Sequence, residues 1–122
     1  MQQIDEKTAA HLLRRLPYRE WMSIGILHDP KGIGRIDIGS LEELLWSIRP
    51  AQKSLSAVRY ERLERWLRES VEDTVLADKV AEVLAQELSY VETSRQVYEL
   101  VENRVEQLLA HAPKESNDET LV

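Results

Sequence analysis

Residues 29–40 come nearest to a metal loop: Asp29 opens the segment, Gly34 stands sixth, Ile36 eighth, and a helix-forming stretch follows, as in an EF-hand. Calcium needs oxygen donors at the third and fifth positions and a bidentate carboxylate at the twelfth, and these are Lys31, Ile33 and Ser40. With only Asp29 and Asp37 as carboxylates, the loop is expected to bind no calcium. Lys31-Gly32-Ile33-Gly34 could present backbone N–H groups and an ammonium to a phosphate. It lacks the Lys-Ser or Lys-Thr pair of a nucleotide loop, and Asp29-Pro30-Lys31-Gly32 is turn chemistry. His11, His28 and His111 are scattered, and Glu106 to His111 is the wrong interval for the Glu-x-x-His of a di-iron bundle. No metal and no other cofactor is therefore expected. His28 beside Asp29 has neither a nucleophile nor an orienting third group, and without Cys there is no thiolate.

Arginine offers a different chemistry. Arg59, Arg62, Arg65 and Arg68 recur every three residues on a predicted helix, a spacing that drifts by about 60° per step, so they wind around the helix. Glu61 with Arg65 and Glu64 with Arg68 are in the favourable order for surface ion pairs. Lys31, Arg59, Arg62 and Arg65 are the candidate anion-binding residues, around a cleft with Trp21, Trp46 or Trp66. A DNA-binding helix-turn-helix drawn through residues 41–67 would use the same arginines. The break at Pro50 is too long for its tight turn, and the net charge of −6 opposes it.

That charge is unevenly placed. Residues 1–70 hold 12 Lys or Arg against 10 Asp or Glu, whereas residues 71–122 hold 4 against 12. The acidic half would repel a phosphate backbone and attract a basic surface, besides keeping helices soluble. Residues 1–15 carry Asp5, Glu6 and Lys7 where a signal peptide needs an apolar run, and no later run approaches a membrane span. The expectation is a soluble, cytoplasmic protein of one domain.

Around these residues the chain reads as mainly α (α+β): an antiparallel helical bundle with one small N-terminal β-hairpin. Asp5 can cap a helix through about Leu16, with Arg14 and Arg15 outward. Met22, Ile24 and Ile26 alternate with Ser23 and Gly25, and Ile36 with Asp37 and Ile38, which predicts a hairpin over about 20–38. Ser40 with Glu43 caps the next helix, which stops before Pro50; Trp46 lies off its apolar stripe and is expected against the hairpin. Residues 51–112 contain neither Gly nor Pro. As one helix they would run roughly 90 Å, but an apolar seam fails beside Ser70 with Asp73 and Ser89 with Glu92, both capping signatures. Helices are therefore predicted over about 53–69, 71–88 and 90–111, the first with Leu55 and Val58 inward. Residues 113–122 are expected to be a disordered polar tail, and its last four, Glu119-Thr120-Leu121-Val122, resemble a short PDZ ligand.

Ser40-Leu41-Glu42-Glu43-Leu44-Leu45, Ser54-Leu55 and Trp66-Leu67-Arg68-Glu69, followed by Asp73 and Leu76-Ala77, resemble a group of uncharacterised, mainly archaeal domains of unknown function. The resemblance spans residues 40–83, and Val58, Arg59 and Tyr60 depart from the aromatic and His usual in that family. It implies a small α+β module and carries over no site residue.

The function expected from all this is a non-catalytic protein-interaction or assembly module. Val91, Tyr98, Val101, Val105 and Leu108 form the candidate interaction seam, with Val97, Leu100 and Leu109 as a second apolar edge. If two copies associate as a homodimer through that seam, Val101→Asp should give a folded monomer. The alternative is a regulator that binds phosphate or a small molecule.

Overall fold

Asp5 accepts the Thr8 N–H at 2.7 Å and starts helix α1, Glu6–Leu13. The computed structural model describes residues 4–28, 32–49 and 54–112. α1 ends short of Leu16 because Leu16 precedes Pro17, which pushes it out of helical geometry; its N–H instead meets the Gly39 carbonyl at 2.8 Å. Arg14, expected to point outward, turns to cap two helix ends. Its guanidinium donates to the carbonyls of His11 at 2.7 Å, Ser70 at 2.8 Å and Val71 at 3.1 Å.

The predicted hairpin is present as β1, Met22–His28, and β2, Gly32–Ile38, antiparallel with Met22 opposite Ile38 and Ile24 opposite Ile36. Period-two alternation buries Met22, Ile24 and Ile38 on one face and leaves Ser23 and Arg35 on the other. Ser40 takes the Glu43 N–H at 3.2 Å while Glu43 reaches back to the Gly39 N–H at 2.7 Å, so the sheet passes directly into α2, Leu41–Ile48. Gly39 lies against the Trp21 indole, which donates to the Leu16 carbonyl at 2.8 Å. A Cβ on Gly39 would fall 2.6 Å from the indole nitrogen. Gly39→Ala should therefore cost about 1–3 kcal/mol by displacing the ring, measured as a lower urea midpoint with an altered tryptophan emission.

A third strand, β3, Ser54–Ala57, occupies residues expected to begin a helix. It pairs with β1 from Gly25 opposite Ala57 to His28 opposite Ser54, giving the order β2-β1-β3. Ser54-Leu55-Ser56-Ala57 alternates like a strand, and the deciding contact is with an edge some thirty residues earlier in the chain. Helix α3, Tyr60–Trp66, thus starts later than predicted and ends in a π-helical turn, Leu67–Val71. Glu72 then takes the left-handed conformation at φ 72°, and Asp73 caps α4, Thr74–Leu84. Ser89 caps α5, Tyr90–His111, by accepting the Glu92 N–H at 3.1 Å.

α5 is the spine. Val97, Val101, Val105 and Leu108 are buried against α1, α2 and α4. At its start, the Tyr60 hydroxyl donates to Ser94 Oγ at 2.7 Å, and burial pushes the phenol up to about 12, so it keeps its proton near neutrality. Pro50 and the tail, residues 113–122, lie outside the described residues.

Candidate functional site

The predicted seam is mostly interior. Val101, Val105 and Leu108 lie within the chain's own core, Tyr98 is half-buried, and Val91 is 77% exposed. α5 carries its buried stripe through Val97, Val101, Val105 and Leu108 because it contacts three helices of the same chain, so the seam offers no continuous free surface. Leu109 is exposed near one end of the helix and Val91, beside the partly exposed Tyr90, near the other. Trp46, expected against the hairpin, is 69% exposed with the Arg49 guanidinium 4.5 Å from its ring centroid. α2 buries Leu41, Leu44 and Ile48 instead, which leaves position 46 on the solvent side.

A cleft of about 930 Å³ lies between α1, α4 and α5. On its floor Asp73, 1% exposed, receives Arg104 Nε at 2.7 Å, Arg104 Nη2 at 2.9 Å and the Leu76 N–H at 3.1 Å. Arg104 also donates to Gln107 at 2.8 Å. Beside them His11 Nε2 and Glu72 Oε1 are 2.7 Å apart, and that hydrogen bond, reinforced by the nearby charges of His11 and Arg14, holds the Glu72 carboxyl below its ordinary range. These polar groups satisfy one another, so the cleft reads as a clasp between the α4 start, α1 and α5. Size alone does not make it the binding site.

A smaller cleft, about 430 Å³, differs in its electrostatics. It is a wedge between β1 and the chain that leaves β3, lined by Arg35, Arg59 and Arg62 with no acidic residue among the described residues. Arg62 also lines an adjoining cleft of about 290 Å³ with Arg19, Arg65 and one acidic residue, Glu20. Of the predicted anion-binding set the structure thus brings Arg59, Arg62 and Arg65 to one continuous face, while Lys31 lies outside the described residues. Glu64 pairs with Arg68, as its spacing predicts, at 2.6 Å, and Asp78 of α4 joins them at 2.9 Å. The expected pair between Glu61 and Arg65 does not form. Among the described residues, the guanidiniums of Arg19, Arg59, Arg62 and Arg65 meet no carboxylate, and Arg35 is tethered only at 3.4 Å to Asp37. Arg19 and Arg35 could not be singled out from sequence, because each is a lone arginine on a different element and only the fold carries them beside α3.

Among the described residues, no group of three or more His, Asp or Glu side chains could hold a metal ion, and no helix is long and apolar enough to cross a membrane. Comparison with known protein families, curated proteins and solved structures finds no significant match to this chain. The resemblance over residues 40–83 rests on its own residues alone.

Proposed function

We propose that the protein is a non-catalytic interaction module that captures an acidic protein segment on its arginine face. The observation that carries this reading is the line of Arg35, Arg59, Arg62, Arg65 and Arg19 along two adjoining clefts, four of them without a carboxylate partner among the described residues, in a chain of net charge −6. A guanidinium is always charged and fits carboxylates through paired N–H donors. Exposed pairs are individually weak, so affinity comes from several acting together and association is steered by the field they share. A cytoplasmic setting belongs to this reading, since a chain without Cys needs no oxidising compartment to fold.

The test is fluorescence anisotropy with a labelled decapeptide of alternating Glu and Thr. The double variant Arg59→Glu, Arg62→Glu should bind it roughly 30-fold more weakly, from lost attraction plus added repulsion. Its circular dichroism should not change, because both side chains are exposed. Undiminished binding by the double variant would overturn the reading. Preference for a single-stranded decanucleotide at equal salt would reassign the face to nucleic acid. A rise in melting temperature with inorganic phosphate alone, with no peptide bound, would favour the small-anion regulator.

A further inference from the structure

We infer that the acidic segment binds as an added β-strand along Met22, Ser23 and Ile24 of β1, filling the wedge that β3 leaves open. This rests on the acidic capture proposed above and adds a backbone mode of recognition to it. β1 pairs with β2 along its whole length from Met22 to His28, but with β3 only from Gly25 to His28. Beside Met22, Ser23 and Ile24 no strand among the described residues pairs on that side. The reason is local and specific: the next N–H of the departing chain, that of Val58, donates to the Tyr90 hydroxyl of α5 at 2.8 Å and so cannot continue the ladder. Arg59 then opens α3, and the two segments diverge around the cleft of about 430 Å³.

Alternate residues of an antiparallel strand turn both N–H and C=O toward one neighbour. A strand with pairing on one side only therefore presents backbone donors and acceptors to the other, the geometry used in strand addition. Charge selects among the sheet's edges. Arg59 and Arg62 flank this wedge, and Arg35 stands in the same cross-strand row as Gly25 and Ala57, where Gly25 places no side chain between it and the wedge. An extended peptide with acidic residues at alternate positions would hydrogen-bond to β1 while its carboxylates meet these guanidiniums. Single-stranded nucleic acid would use the arginines but has no means of matching a strand edge.

Two N-methylated forms of the Glu-Thr decapeptide, methylated at alternate amides in the two possible phases, separate backbone pairing from charge. One phase should lose at least tenfold in affinity and the other little, because only one set of amides faces β1. Amide hydrogen exchange with the unmodified peptide bound should slow within Met22, Ser23 and Ile24. If both methylated peptides bind as well as the parent while Arg59→Glu, Arg62→Glu still weakens binding, strand addition is wrong and acidic capture stands. Protection confined to β2 would equally overturn the assignment to β1. If the double variant binds the parent peptide undiminished, the capture reading itself fails.

Discussion

Val101→Asp is expected to unfold the protein, where a surface seam would have released a folded monomer. Val101 is fully buried on α5, at the level where that helix packs into the core. The substitution removes about 1.5–3 kcal/mol of apolar burial and adds a carboxylate that must either stay charged in an apolar site or take up a proton, at a cost of several kcal/mol more. A domain of ordinary stability has only about 5–15 kcal/mol in total. Far-UV circular dichroism and size-exclusion chromatography decide the matter: loss of helical signal and an expanded or aggregated species are expected. A cooperative thermal transition near that of the native protein would place Val101 outside the core. Val91→Asp is the control on the same helix; at 77% exposure it should change stability by less than about 0.5 kcal/mol.

Asp73→Ala should be the most damaging substitution of a polar residue in the described structure. Asp73 joins two elements: it caps α4 through the Leu76 N–H, and it holds Arg104 of α5 by two hydrogen bonds. Removing one partner of a buried pair leaves the other charge uncompensated, and Arg104 is only 10% exposed. The expected loss is about 3–5 kcal/mol, equivalent to a fall of roughly 12–20 °C in melting temperature for a domain of this size. Thermal unfolding of Asp73→Ala, Arg104→Met and the double variant tests the mechanism. The double variant should recover part of the loss, since no charge is then stranded. If Asp73→Ala and Arg104→Met are simply additive, the cap alone accounts for the effect of Asp73.

These two residues show where sequence reading succeeds and where it stops. Ser40, Ser89 and Asp5 were legible as caps because a helix start needs an acceptor within three residues. The same signature marked Asp73, although Asp73 itself and not Ser70, which lies inside the π-helical turn, takes the cap of α4. The pairing of Asp73 with Arg104 was not legible, because thirty-one residues separate them and no periodicity links α4 to that position of α5. Val101 was correctly placed on an apolar stripe, but a stripe does not say whether it is covered by the same chain or by another. The arginine face was half legible: Arg59, Arg62 and Arg65 share one helix, while Arg19 and Arg35 reach it through the 3₁₀ turn Tyr18–Glu20 and β2.

By itself the sequence determined what depends on near neighbours: a mainly α chain, the hairpin alternation, the caps of α1, α2 and α5 and the lack of Cys. These follow from hydrogen bonds and side-chain periods spanning a few residues, which any local window contains. The tertiary structure decided that residues 54–57 pair with β1, that Tyr90 draws Val58 away and opens the wedge, and that the α5 seam belongs to the core. Each depends on groups on different elements, too far apart for any local window, and their pairing is resolved only when the whole chain is packed.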